Sequence, residues 1–326
     1  MTQATIALFT GDPAGIGAEL VQKLLDQPAL RPSASILLIG QQGAIRAAAD
    51  VRWHPWSGID APAFEPGMAS ARNGRYMLDA LAEGAQLVAD GKADAFCFAP
   101  LNKSALRSGG MHQEDELRWF AEFLNHHGVC GELNVLQNLW TARVTSHVPL
   151  KEVSQGLSSS KVCDAIKMIS NALKAAGKSK PRIAVCGLNP HNGDNGNYGD
   201  EEITVIAPGV QLAVAAGYPA DGPFPADTAF VRAIRKEGGY DGVVTMYHDQ
   251  GQIAMKLMGF EKGVTVHGGL PIPITTPAHG TAYDIVGTNQ ANPQAMFNAF
   301  ELACRMGLHH RQSNTSHLPE HHTETS

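Results

Sequence analysis

The 326-residue chain has little cysteine, no long apolar run and no basic block, and each shortage removes a class of protein. No stretch approaches the roughly 20 apolar residues that cross a bilayer, which argues against a membrane partner. No run of Lys and Arg exceeds two, and the net charge of -6 argues against nucleic acid, which wants a clustered positive field. The five cysteines, Cys97, Cys130, Cys163, Cys186 and Cys304, are odd in number, widely spaced and without a CxxC pair. That pattern fits reduced thiols in a cytoplasmic protein better than a disulfide framework or a thiolate zinc site. No basic segment precedes the first apolar residues, which run straight into a Gly/Pro turn, so they read as a strand and not as a signal peptide. No internal repeat is present.

What is present suits a packed enzyme. Hydrophobic residues make up 44% and charged residues 17%, enough for a sizeable core, and the length fits two α/β domains or one large one. Ile6–Thr10, Ser35–Ile39, Ala95–Ala99, Asn134–Leu136, Ala142–Thr145, Arg182–Gly187 and Gly242–Met246 are short, apolar and bounded by turn residues, as buried strands are. Helical patterns at Arg75–Asp90, Glu116–His127, Val162–Ala176, Glu201–Ala216 and Pro293–Met306 lie between or after them. The alternation predicts an α/β fold of mainly parallel sheets with crossover helices and ligands at the carboxyl ends of the strands. We expect 1–107 plus 252–312 to form a cofactor-binding domain and 108–251 a metal, substrate and dimerisation domain. The polar, His-rich stretch 313–326 is expected to be a frayed tail, with His317, His321 and His322 solvated.

Three groups of residues carry chemistry. Gly11-Asp12-Pro13-Ala14-Gly15-Ile16-Gly17 follows the first strand and opens a helix, a turn that brings backbone amides close to an anionic or polar ligand. His147, His191 and His248 each stand at or just past a strand end, so three imidazoles can converge on one sheet edge and hold a borderline divalent ion with one position open. Asp249 and Asp227 are the carboxylates available to orient them. His279-Gly280-Thr281-Ala282-Tyr283-Asp284, followed by Ala291-Asn292-Pro293, is a glycine-bounded loop with Asp284 available for sugar hydroxyls. Lys256 and Lys103 can anchor an anion or move a proton.

In order along the chain, GDPAGIGAE, APLNKSAL, TSHVPL, GLNPHNGDNGNYGDEE, GPFPADT, MYHDQG, GLPIP and HGTAYDIVG resemble the 4-hydroxythreonine-4-phosphate dehydrogenase family. The last of these also resembles the adenosine loop of isocitrate and isopropylmalate dehydrogenases. The resemblance implies a two-domain α/β homodimer with its site in an interdomain cleft, NAD as cofactor, and one divalent metal (zinc first, then magnesium, manganese or cobalt) with one ligand from the neighbouring subunit. It places His147, His191 and His248 on the metal and Lys256 on a small hydroxy substrate. Gly11, Asp12, Gly15, His279, Gly280, Thr281, Ala282, Asp284 and Asn292 fall to the cofactor, and Asp249, Asp227 and Lys103 are the candidate proton carriers. A carboxylate β to the new ketone would be lost after oxidation.

Where the family has a GHTE segment this chain has Glu116 and Leu117 at the His and Thr, by ungapped counting from Lys103. Thr265 stands for a substrate-binding Asn and Ile274 for a substrate-binding Arg. Loss of phosphate donors predicts a non-phosphorylated hydroxy acid or dihydrodiol carboxylate as substrate. A register shift would instead bring His112 into the pocket. The alternatives are the authentic 4-hydroxythreonine-4-phosphate dehydrogenase of pyridoxal phosphate synthesis and a three-histidine metal hydrolase.

Overall fold

The computed structural model describes residues 3–315 apart from 30, 33, 42, 47–50 and 57–63. Its strands are β1 (Ala4–Phe9), β2 (Ala34–Ile39), β3 (Val51–Trp53), β4 (Ala95–Phe98), β5 (Gly131–Leu136), β6 (Leu139–Arg143), β7 (Ile183–Cys186), β8 (Ala220–Phe224), β9 (Gly242–Thr245), β10 (Val264–Gly268) and β11 (Ile274–Pro277). Together they form a single sheet in the order β3-β2-β1-β4-β11-β10-β5-β6-β9-β7-β8, rather than separate sheets. Both outer portions are parallel, as expected; the centre is not, because β11–β10, β10–β5 and β5–β6 pair antiparallel.

The sequence reading missed β10 and β11. The intervening Gly269-Leu270-Pro271-Ile272-Pro273 reads as loop, yet it is the turn that lets β11 return beside β10. Gly269 sits at φ +83°, where a Cβ would lie 2.1 Å from the Val129 carbonyl oxygen, so only glycine fits.

Strand alternation builds cores on both faces of the sheet. In β1, Ile6 and Leu8 join a cluster with Leu20, Phe300 and Met296, while Ala7 and Phe9 join another with Tyr76, Phe96 and Phe120. In β7, Ile183 and Val185 enter the first cluster and Ala184 and Cys186 a third, with Phe230 and Met255. The helices Ala71–Ala89, Ser159–Ala175 and Gln294–Thr315 cover the sheet with the apolar faces their periodicity announces.

The last helix corrects the expected tail. It continues through Ser313 to Thr315, and Arg311 Nη1 donates to the Gln3 carbonyl at 3.1 Å and to Asp94 Oδ2 at 3.2 Å. His317, His321 and His322 lie outside the described residues. Among the described residues no helix is long and apolar enough to cross a membrane.

Phe120 is fully buried, with its ring 5.4 Å from His267, 6.1 Å from Phe96 and 6.1 Å from Phe98, centroid to centroid. Phe120→Ala is expected to cost about 3–5 kcal/mol in urea unfolding, through lost burial and the cavity left behind; a loss under about 1 kcal/mol would show that this packing is dispensable.

Candidate active site

The carboxyl ends of the parallel strands carry the chemistry-bearing segments, and the two parallel portions run in opposite senses because three antiparallel pairings lie between them. β1 leads into Gly11–Gly17, β4 into Ala99–Lys103, β6 into Thr145–His147, β7 into Gly187–His191 and β9 into Met246–His248.

The first turn docks on the glycine-bounded loop. Gly11 has φ +77° and approaches Ala99 so closely that a Cβ would stand 2.6 Å from its carbonyl oxygen. Ile16 N–H donates to the Thr281 carbonyl at 3.1 Å, and a Cβ on Gly15 would touch the Thr281 side chain. Asp12 is buried; its Oδ1 accepts the Ala14 N–H at 3.0 Å and its Oδ2 accepts the Tyr283 hydroxyl at 2.5 Å. Burial pushes the Asp12 carboxyl above the usual range, against the opposing pull of Tyr283 and the Ala14 amide. Glu19 and Lys23 pin the far end of the loop: Glu19 Oε1 accepts from Ala291 N–H, and Lys23 donates to the Asn289 and Ala291 carbonyls. Asn292 caps the following turn, its Oδ1 accepting the Gln294 N–H at 3.0 Å, and Asp284 is exposed.

Beside this loop opens a cavity of about 430 Å³. Lys103, Glu116, Glu132, Asn134, Thr265 and His267 line it together with His248, Lys256, His279 and Gly280. The cavity thus gathers Lys103, Lys256, Glu116, Thr265, His248, His279 and Gly280 from the expected site. It does not gather Leu117, Ile274, Asp227 or Asp249. Ile274 is wholly buried against the aromatic cluster and Leu117 is 2% exposed, facing a neighbouring hollow beside Cys130 and Arg143. Asp227 is exposed in the first turn of the helix Ala226–Ala233. His112 is exposed too, and does not enter the cavity.

The cavity floor is charged but nearly balanced. Burial pushes Glu116 up, opposed by the Lys103 ammonium. Burial also acts on Glu132, but the Arg143 guanidinium outweighs it and holds Glu132 below its ordinary range; Arg143 Nη2 donates to Glu132 Oε2 at 2.5 Å. His267, completely enclosed, is pushed down to about 4 by burial and stays neutral at physiological pH, its Nδ1 without a partner.

At the metal end, the His147 and His248 rings have centroids 6.0 Å apart. His248 Nδ1 lies 2.7 Å from Asp249 Oδ1, and His147 Nδ1 bonds to Glu114 Oε1. Imidazoles held at Nδ1 by carboxylates have Nε2 free for an ion, so these two side chains fit a divalent metal. His191 stands apart, exposed, its ring 6.3 Å from Tyr198. Among the described residues, the three groups whose ligand atoms approach within 4.8 Å of one another are those of Glu114, Asp115 and His147, not the three histidines. For a nucleotide, Gly280 leaves open space where a side chain would be, and the His279 Nε2 is buried beside it without a partner, a fit for a polar ligand.

Two positioning residues escaped sequence reading. Buried Glu202 accepts the Leu188 and Asn189 N–H groups at 2.7 Å each through Oε1, and its Oε2 accepts from Asn189 Nδ2 at 3.0 Å, shaping the loop that carries His191. Gln250 accepts the Met246 N–H at 2.7 Å and donates to the Gly187 carbonyl at 2.8 Å, tying the loops of His191 and His248 together. Gln250 lies in the MYHDQG motif; Glu202 shows only as one acid among several.

The family model described as "Pyridoxal phosphate biosynthetic protein PdxA" matches residues 19–303. A Pseudomonas aeruginosa protein named "Putative 4-hydroxythreonine-4-phosphate dehydrogenase 2" is 50% identical, covering 93% of this chain and 97% of its own length. A "D-threonate 4-phosphate dehydrogenase" of Salmonella typhimurium is 36% identical, covering 94% of this chain and 100% of its own. Among solved structures, the 4-hydroxythreonine-4-phosphate dehydrogenase of Klebsiella pneumoniae superimposes with a TM-score of 0.81 at 32% identity, over 94% of this chain and 98% of that one. A terephthalate 1,2-cis-dihydrodiol dehydrogenase from Burkholderia xenovorans follows at 0.69 and 26%, covering 93% and 98% of the two chains. A β-decarboxylating dehydrogenase from Thermococcus kodakarensis, at 0.52 and 14% over 91% and 82%, shares the fold alone.

Because the folded state raises the Glu116 carboxyl above its unfolded value of 4.5, Glu116 stabilises the fold most below that pH and loses its contribution as pH rises through the folded value. Glu116→Gln is therefore expected to raise the urea midpoint at pH 7 relative to the parent and to lose that advantage at pH 4. An equal shift at both pH values would show that the charge is not the cause.

Proposed function

Because the chain belongs to the PdxA family of pyridoxal phosphate biosynthetic proteins, we propose that it is an NAD-dependent dehydrogenase. Its substrate would be a small phosphorylated four-carbon hydroxy acid or hydroxy amino acid, oxidised at a secondary alcohol. The observation that carries this reading is the cavity in which Lys103 and Lys256 meet the Gly280 loop on one side and His248 on the other. The 50% relative and the 36% relative both carry names of phosphorylated-substrate dehydrogenases, and these support it.

The expected non-phosphorylated substrate is displaced for a physical reason as well. That expectation rested on Glu116, Leu117, Thr265 and Ile274 standing in place of phosphate donors; Leu117 and Ile274 do not line the cavity, and Lys256, which shares its wall with Glu116 and Thr265, supplies positive charge for a phosphate. The hydrolase alternative has nothing to explain the cofactor loop, and relatives named dehydrogenases stand against it.

In the proposed mechanism the Gly11–Gly15 turn and the segment from His279 to Asp284, with Asn292, hold NAD beside the cavity. Lys256 draws in the phosphorylated substrate and fixes its orientation. His147 and His248, with His191 contributed across a homodimer interface, would hold the divalent ion; a ligand crossing between subunits accounts for the third imidazole standing apart within one chain. Zinc suits the imidazole donors, with magnesium, manganese and cobalt as the other candidates. Bound there, such an ion would lower the pKa of the substrate hydroxyl and stabilise negative charge on its oxygen. Of the three candidate proton carriers only Lys103 lines the cavity, so the hydroxyl proton is assigned to it. A bound nicotinamide would accept the carbon's hydrogen as hydride, giving ketone and reduced cofactor, and a carboxylate β to that ketone would leave as carbon dioxide. Glu116, Glu132 and His267 close the floor. The two-domain division, with 1–107 plus 252–312 binding cofactor and 108–251 carrying metal and substrate, and a cytoplasmic location belong to the same reading.

NADH formation tests it. With metal-loaded protein, 4-hydroxythreonine 4-phosphate or D-threonate 4-phosphate is expected to turn over and the unphosphorylated compounds are not. Lys256→Ala should raise KM about tenfold or more with a smaller change in kcat, the signature of a lost binding contact. Turnover confined to a dihydrodiol carboxylate or an unphosphorylated hydroxy acid would overturn the substrate assignment.

A further inference from the structure

We infer that Glu114 is a positioning residue for the metal: its carboxylate holds the Nδ1 of His147 and so presents the opposite nitrogen to the ion. The inference rests on the metal reading above and goes beyond it, because Glu114 belongs to none of the expected ligands or bases.

The geometry is local and specific. Glu114 Oε1 bonds to His147 Nδ1, although the two residues lie 33 positions apart and on different elements. Glu114 precedes the helix Glu116–Phe123, and Asp115 caps that helix, its Oδ1 accepting the Arg118 N–H at 2.9 Å. With Asp115 fixed as the cap, the preceding side chain is directed away from the helix. In this chain it meets the loop that follows β6, where His147 stands. Three consecutive acids make different bonds, although the Asp115 carboxylate stays within 4.8 Å of Glu114 and His147. Glu114 goes to the imidazole, Asp115 to the helix end and Glu116 to the cavity floor.

A carboxylate on one ring nitrogen fixes the tautomer with the proton at that nitrogen, leaves the lone pair on the other, and raises the basicity of the ligating atom. His248 has the same arrangement with its neighbour Asp249, so both imidazoles of the pair are oriented by the same device. The difference is reach. Asp249 orients a ligand on its own helix, whereas Glu114 links the ligand to the segment that opens the cavity helix, so ligand geometry and cavity floor share one short stretch of chain.

The test is metal affinity of the purified full-length protein, read by competition with a chromophoric chelator for zinc and for manganese and independent of turnover. Glu114→Ala is expected to weaken binding of the preferred ion about 10–100-fold, Glu114→Asp to restore part of it, and NAD affinity and the unfolding midpoint of the metal-free protein to stay at parental values. Affinity within twofold of the parent in Glu114→Ala overturns the inference, as does a loss of affinity matched by a fall in the metal-free midpoint. His147→Ala separates the two claims: if it too leaves affinity unchanged, the metal reading itself fails, and if it abolishes binding while Glu114→Ala does nothing, only the role of Glu114 falls.

Discussion

The cavity depends on the antiparallel register of β5 with β10. That ladder sets His267 opposite Glu132 and Thr265 opposite Asn134, and all four side chains line the cavity. Side chains alternate between faces along a strand, so a slip by one residue would send the whole set to the other face and bring Val264, Val266, Leu133 and Val135 round in their place. The turn from Gly269 to Pro273 is what lets β11 pair with β10, so the floor of the site is secured by a glycine that contacts no part of it. Charge then follows register. Glu132 is low because Arg143 reaches it from β6, the next strand across, and His267 is neutral because the same packing encloses it among Phe98 and Phe120.

Much of this was legible in sequence, and the parts that were not have a common cause. The parallel strands showed themselves because each is a short apolar run buried on both faces, and the residues at their carboxyl ends, from Asp12 to His248, read as chemistry because they follow such runs. The two strands that were missed, β10 and β11, mix Thr, His, Gly and Pro, because one face of each meets a polar cavity and their turn is made of Gly and Pro. The local signal therefore reads as loop. Counting residues from Lys103 identified Glu116 as a cavity residue but also named Leu117, which is 2% exposed and outside the cavity because it follows Glu116 round the helix to a different face.

Long-range hydrogen bonding was the least visible layer. Gln250 reaches Gly187 only once β7 and β9 lie side by side, and Glu202 reaches back to Leu188 and Asn189 in the loop after β7. No spacing rule marks a glutamine or glutamate for such work, since the groups it satisfies are backbone groups of loops whose course only the fold sets. The same holds for Asp12 and Tyr283, which lock the first turn to a loop 271 residues later.

The way the chain closes on itself has a consequence for its synthesis. β1 and β4 are neighbours at the heart of the sheet, yet the far side of β4 is completed by β11, and the helix Gln294–Thr315 covers both. Arg311 then ties that helix back to Gln3 and Asp94. The first strands therefore leave the ribosome with an open, apolar edge that no early segment can cover. Long-range pairing of this kind is slow and exposes strand edges while it waits. A nascent chain that ends before β11 lacks both the strand and the helix that complete the native core around β1 and β4.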